Sequence, residues 1–418
     1  MRRLDAQRTW LLYRGVESFA MSLGWTVAAV FFVTDLGMSP LELVLAGTAL
    51  EVAYFIFEVP TAIVADTYSR RASIVVGAVI MGLAYVATGL APGVATVLTA
   101  AAVMGFGWTF KSGAEDAWLA DEVGTDNVAA PYQRGAQAAR IGALVGIACA
   151  VGLALVDLRV PIVVAGLVLV LLGAALVVLM PETGFRPATR DEVGALRTMA
   201  RTGTAGGRLM RARPLLLLIV GIAFFSGMWS EAFDRLWEAH FLLDVGVPGF
   251  GDLDPIVWFG VLNAGVLLLA IFVAQPLRAR FVRLSRTGMT RMLFAFDAFT
   301  ILGTLAFAFA GQFAVAVAAY WATRVLRSLL GPVYSTWLNT SIDDSSVRAT
   351  VISMTNLGDS AGEWAGGPAL GAVGNVFGIR AALAAGAAAL TPALVLYGRA
   401  LRHHGLEPEL AAEPAAAR

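Results

Sequence analysis

Charge is what this sequence has least of. Only 14% of its 418 residues are charged while 58% are hydrophobic, and the mean hydropathy is +0.74. A soluble domain carries about 25% charged residues. A chain this apolar cannot clothe its surface for water, so the bilayer is its solvent. Acidic and basic residues number 30 each, giving a net formal charge of zero, and no basic surplus is left to grip a nucleic acid. Cysteine is reduced to Cys149. It cannot form an intrachain disulfide, and in its apolar run it reads as a small buried hydrophobe. Lysine is reduced to Lys111, which reads as the codon usage of a GC-rich genome. No Walker sequence, metal-ligand spacing or catalytic motif occurs, which argues against an ATP-driven pump, a metal site, a cofactor and an enzyme. No small-residue cleavage pattern follows the basic stretch Met1–Arg8, so the first apolar run reads as a retained span.

What the sequence has is long apolar runs. A helix needs about 20 mostly apolar residues to cross the bilayer. Runs of that kind predict spans at 10–34, 41–65, 72–91, 94–120, 132–156, 160–180, 214–244, 255–276, 290–311, 313–340, 347–372 and 376–400. With the first residues on the cytoplasmic side, 22 arginines fall in inner segments, and only Arg159 and Arg380 fall in outer loops. That bias follows the positive-inside rule, and moving a single span destroys it. The expectation is a multi-pass cell-membrane protein with both termini cytoplasmic.

Seven of the inner arginines lie in 181–213, which also contains PETGFRP and TGTAGG. This reads as a cytoplasmic linker between an N-terminal half (1–180) and a C-terminal half (214–402), with a disordered tail over 403–418. The halves echo each other. FFVTDLG (31–37) matches HFLLDVG (240–246), AWLADEV (117–123) matches TWLNTSID (336–343), and Arg134 matches Arg348. The predicted fold is an all-α membrane protein of twelve transmembrane helices. Its two six-helix halves would be related by a pseudo-twofold axis along the membrane normal, with substrate bound between them near the midplane.

The segment Val59–Arg71 resembles the loop-2/3 signature of the major facilitator superfamily. Asp66, Arg70 and Arg71 stand at the family's positions, while Ala62 and Ser69 replace glycines and Thr67 replaces a basic residue. The resemblance extends over nearly the whole chain. It implies a secondary transporter working by alternating access, as a monomer, with a small-molecule substrate. It also implies a gate in which Asp66 meets the start of the eleventh span near Arg348, while Arg70 or Arg71 pairs with Asp121 or Glu122. EVPTAIVAD and EDAWLADEV look nearer to bacterial efflux pumps than to sugar symporters, which implies multidrug-resistance-type antiport of hydrophobic or cationic compounds. Two antiporter patterns are missing: Phe110–Gly113 has lysine for arginine and lacks the glutamine, and the fifth span lacks a glycine-proline. Transport of one specific polar metabolite is therefore the alternative, with a membrane-embedded sensor or enzyme as the reading from another class.

Ionisable groups inside spans mark function or pairing. The basic ones are Arg14, Lys111, Arg140, Arg235, Arg324 and Arg327. The acids outnumber them, and this excess fits a proton-coupled carrier. Asp234 and Glu238 are four residues apart on one helix, as are Asp359 and Glu363. Like charges at that spacing face each other, so in a low-dielectric site one of each pair holds a proton. The proton-coupling candidates are thus Asp234, Glu238 and Glu231 first, then Asp359 and Glu363, then Glu17. Arg235 is the expected partner of the first pair, Arg324 or Arg327 of the second, and Arg14 or Lys111 of Glu17. An inner salt-bridge network is expected from Arg14, Glu17, Lys111, Glu115, Asp116 and Arg140. Glu51 and Glu58 read as interface glue, and Asp297 as solvated at the inner mouth. Trp25, Trp108 and Trp229 lie deep in their spans and, with Asn263, are the substrate-contact candidates beside ordinary packing. His240, near an outer end, reads as a satisfied structural histidine.

Overall fold

The structure, a computed structural model, describes residues 4–188, 214–249, 254–281, 284–341 and 348–411. The linker beyond 188, the tail beyond 411 and the side chain of Arg348 lie outside the described residues. All regular structure among the described residues is helical. In chain order the helices are α1 (Ala6–Thr34), α2 (Pro40–Thr67), α3 (Arg70–Gly89), α4 (Val94–Lys111), α5 (Ala114–Val123), α6 (Ala129–Ala154), α7 (Arg159–Leu179), α8 (Pro214–His240), α9 (Ile256–Phe281), α10 (Arg286–Ala308), α11 (Phe313–Ser341), α12 (Arg348–Phe377) and α13 (Ile379–Ala411). Eleven spans of the described residues are long and apolar enough to cross a membrane, α4 and α5 counting together. The helix outside that set is α12, whose 30 residues include Asn356, Asp359, Glu363 and Asn375.

Local chemistry sets several boundaries. Ser39 opens α2 with a capping box: its amide donates to Glu42 Oε2 at 2.8 Å, and Pro40 fills the first helical position. Ser69 caps α3 by accepting from the Ala72 amide at 2.9 Å. Three boundaries differ from the sequence reading. The predicted fourth span, 94–120, breaks between α4 and α5, because Gly113 adopts φ +71°, a conformation open to glycine. The seventh span ends in a π-helical turn, Phe241–Val245, closed by Gly246. The last helix continues to Ala411, into the segment expected to be a disordered tail; alanine, leucine and glutamate there are strong helix formers.

The chain divides into two compact units. The first comprises residues 1–201 with 247–264, and the second residues 202–246 with 265–418. Each has a tight helix crossing made by glycines. In the first, a Cβ added at Gly142 would strike the Gly15 carbonyl, and one at Gly146 the Phe19 carbonyl, so α6 lies directly on α1. In the second, Gly362 lies on the Phe224 carbonyl and Gly366 on Met228, so α12 lies on α8 in the same way. Small residues at four-residue spacing allow this approach between membrane helices. Gly15 and Phe19 correspond to Phe224 and Met228 with a shift of 209 residues. The same shift takes Asp35 to Asp244 and Gly37 (φ +60°) to Gly246 (φ +78°). The FFVTDLG/HFLLDVG match thus reflects shared backbone geometry. The Arg134/Arg348 match does not share the packing register: Gly142 to Gly362 is a shift of 220, which takes Arg134 to Met354.

Candidate functional site

Ionisable side chains gather in three places. The first is the loop between α2 and α3. Arg70 pairs with Asp121 of α5 and lies 3.4 Å from Asp66. Arg71 takes a different partner, Glu182, at 3.9 Å. Glu182 also accepts from the Arg71 amide at 2.9 Å and the Ser69 hydroxyl at 2.7 Å, so it caps the N-terminus of α3. Glu122 pairs with no arginine among the described residues; it receives the amides of Thr183 and Gly184 at 2.5 and 2.8 Å. Trp118 donates to the Pro181 carbonyl at 2.7 Å. PETGF, read as the start of a linker, is therefore strapped across the signature loop of the first unit. Sequence reasoning missed Ser69, Glu182 and Thr183, and Glu182 in PETGF was the available signal.

The second cluster lies within the first unit, between α1, α4 and α5. Glu17 pairs with Lys111, and Arg14 sits 3.2 Å from Glu17 and 3.3 Å from Glu115. The Tyr13 hydroxyl donates to Glu115 at 2.6 Å. Lys111 lies 4.8 Å from the Trp108 ring centre. Two cations face two carboxylates, and the Lys111 and Glu17 side chains are each only 7% exposed. This is the inner network the sequence predicts, with two corrections: Arg140 and Asp116 are exposed and form no ion pair in it, and Tyr13 joins it. Trp25 is 41% exposed. Asn263 donates to its own helix, to the Phe259 carbonyl at 2.9 Å. Glu58 is exposed and accepts from Tyr54 at 3.0 Å.

The third cluster lies within the second unit. Arg324 donates to Asp234 Oδ1 at 2.5 Å, and Arg327 reaches Oδ2 of the same carboxylate. This corrects the expectation that the two arginines serve Asp359 and Glu363 and leave Asp234 poorly matched. Three residues apart on α11, they share one face and converge on one acid. Arg235, the expected partner of Asp234 and Glu238, instead bonds Glu231 at 3.2 Å, because the four-residue spacing on one helix brings that carboxylate to it. Glu238 is buried, and its Oε2 has no hydrogen-bond partner among the described residues. Trp229 is buried, bonds Thr304 at 3.0 Å, and lies under the Arg327 guanidinium at 5.3 Å. Asp359 is half-buried and makes no hydrogen bond or ion pair among the described residues. Asp297, expected to be solvated, is 3% exposed. Its helix α10 packs against α11 and α13, and Tyr334 and Tyr397 of those helices are its titratable neighbours.

This arrangement places paired and unpaired ionisable side chains inside spans, where such groups mark function or helix pairing. The sequence matches the profile described as Major Facilitator Superfamily over residues 13–366. No curated protein matches it. Among solved structures, the fold is similar to the nucleoside transporter NupG, with TM-score 0.74 and 12% identity over 95% of this chain and 99% of that one. It is also similar to a bacterial homolog of the human lysosomal transporter Spinster, in an inward-facing, unoccupied conformation (0.73, 15% identity, 99% and 98%). A peptide transporter POT in complex with sulfate scores 0.70 at 16% identity, covering 95% and 94%. At such identities the likeness speaks for the fold alone, which is that of a multi-pass membrane transporter. The profile spans most of the sequence, and the chain belongs to the Major Facilitator Superfamily.

Proposed function

We propose that this chain is a secondary active transporter that moves a small polar molecule together with protons, by alternating access of two six-helix halves. The observation that carries the proton part is Glu238. A carboxyl sealed in a span beside no hydrogen-bond partner for Oε2 is costly as an anion and cheap as an acid. Asp297 and Asp359 are further proton candidates in the same unit. Glu17 ranks below them, because Lys111 and Arg14 already neutralise it. The polar substrate reading is supported by the partly exposed ions around Asp234. The Asp66–Arg70–Asp121 contacts and the Glu182 strap serve, in this reading, as the latch on the cytoplasmic side, where both termini also lie. Labelling a cysteine at Gly93 with an impermeant reagent from outside cells, in a Cys149→Ala background, tests that orientation.

A second reading has one specific support. The likeness of EVPTAIVAD (58–66) and EDAWLADEV (115–123) to efflux-pump segments favours export of hydrophobic or cationic compounds in exchange for protons. The two readings differ in the sign of proton flux. Proteoliposomes loaded with a pH-sensitive dye and given an inward gradient of pooled solutes should acidify inside for co-transport and alkalinise for exchange. Glu238→Gln should reduce the solute-dependent signal at least tenfold while the protein still inserts and purifies as a monodisperse species. An unchanged signal in that variant would remove Glu238 from the proton path.

A further inference from the structure

We propose that Arg324 and Arg327 form the seat for a carboxylate of the transported molecule, and that Asp234 is an internal carboxylate occupying this seat until the substrate displaces it. The inference rests on the transporter reading above and adds the chemical class of the substrate.

The two ion clusters differ in a way that separates holding from binding. In the first unit, the central Glu17–Lys111 pair is sealed, with both side chains 7% exposed, and only Arg14 at its edge reaches 29%. In the second unit, Asp234 and Arg324 are each 30% exposed and Arg327 is 36% exposed. An ion pair that only ties helices together gains most when water is kept away. An ion triad whose members all keep about a third of their surface uncovered within a span is instead placed where a solute can reach it. The geometry is that of carboxylate recognition: one guanidinium addresses Oδ1 and the other Oδ2 of a single acid. Planar, always-charged guanidinium groups are suited to this. Arg327 is oriented in advance by the Trp229 ring beneath it, which Thr304 anchors through the indole nitrogen. Preformed donors of this kind lower the ordering cost of binding.

Charge balance then links substrate to proton. The incoming carboxylate replaces Asp234 on both arginines. The released Asp234 keeps only Arg235 within charge range, and that guanidinium is already shared with Glu231. The other titratable groups in charge contact with it are Glu231 and Glu238 on α8 and Tyr320 on α11, while Asp359 on α12 faces Arg327, and none of these supplies positive charge. Asp234 therefore takes a proton from water, and one carboxylate enters with one proton while the net charge of the seat stays the same. The pairs within α8 set no such exchange, because Glu231 already has its own guanidinium four residues away.

The test uses the purified full chain with benzoate as carboxylate probe, benzamide as its neutral counterpart and inorganic phosphate as tetrahedral anion, all at fixed ionic strength. Binding is read from tryptophan fluorescence and thermal midpoint. Wild-type protein should bind benzoate more tightly as pH falls, by about tenfold per pH unit, the slope of one coupled proton. Asp234→Asn should bind benzoate at least tenfold more tightly than wild type and lose that slope. Adding Arg324→Gln or Arg327→Gln should abolish the gain. Equal binding of benzoate and benzamide, tighter binding of phosphate than benzoate, or a flat pH response in wild type would each overturn the inference; the last needs no variant to fold. A carrier that moves protons with neutral solutes only, and shows no benzoate preference, keeps the transport reading and loses this one. Benzoate binding as described, with no solute-dependent proton flux, would refute the transport reading and with it the role of the seat.

Discussion

His240 is fixed by two contacts that point the same way chemically. Its Nδ1 lies 2.9 Å from Asp244 Oδ2 and its Nε2 3.0 Å from the Phe307 carbonyl, and the ring is fully buried. It joins the last turn of α8 to the last turn of α10. Replacing it with phenylalanine keeps the ring and removes both hydrogen bonds, leaving the Phe307 carbonyl with the Ala310 amide and the Asp244 carboxylate, 27% exposed, to water. A lost hydrogen bond costs about 0.5–1.5 kcal/mol, so His240→Phe should lower the thermal midpoint by a few degrees, and an unchanged midpoint would mean these contacts are dispensable. At this scale the sequence was partly readable. The four-residue spacing of Glu231 and Arg235 and the three-residue spacing of Arg14 and Glu17 are helix periodicity, and contacts between them follow from it. The union of Asp234 with residues 90 and 93 positions later does not. Spacing shows that Arg324 and Arg327 share a face; which acid they meet depends on how α11 is rotated, and apolar patterning around the whole helix leaves that rotation open. The burial of Asp297 was hidden for the same reason.

Among elements, the helix crossings are set by glycines, and these were readable only as composition. Gly142 and Gly146 look like any small-residue pattern until the carbonyls of Gly15 and Phe19 are found against them. Valine at Gly142 or at Gly362 would push side-chain atoms into a neighbouring backbone, which cannot turn away as a side chain can. Overpacking costs about 1–3 kcal/mol, and these two positions belong at the upper end. Gly152, on the same helix as Gly142, has nothing within 4 Å of an added Cβ. Gly152→Ala should therefore leave the melting temperature unchanged or raise it slightly. Equal losses at Gly142 and Gly152, followed by thermal unfolding in detergent, would contradict the close crossing. The break at Gly113 was missed because α4 and α5 together read as one apolar run; a single left-handed glycine changes the path without changing hydropathy. The strap Pro181–Phe185 was missed for the opposite reason, since its loop signals were correct and only its docking was unseen.

At the level of the whole molecule, apolar runs were enough to find eleven of the twelve expected spans among the described residues, and the loop signature was enough to point to the family that the sequence profile bears out. Substrate and direction were not readable, because they depend on a few side chains whose roles come from tertiary placement. Proton-coupled secondary transport is the central claim. Its most direct test is solute accumulation in proteoliposomes holding the purified chain, with an imposed pH difference, no nucleotide, and mass-spectrometric reading of which members of a pooled carboxylate mixture concentrate. Proton coupling predicts that at least one carboxylate accumulates above its outside concentration, that a protonophore abolishes this, and that Arg327→Gln abolishes it too. Accumulation that persists with the protonophore present, or no accumulation of any solute under either direction of the gradient, would contradict it.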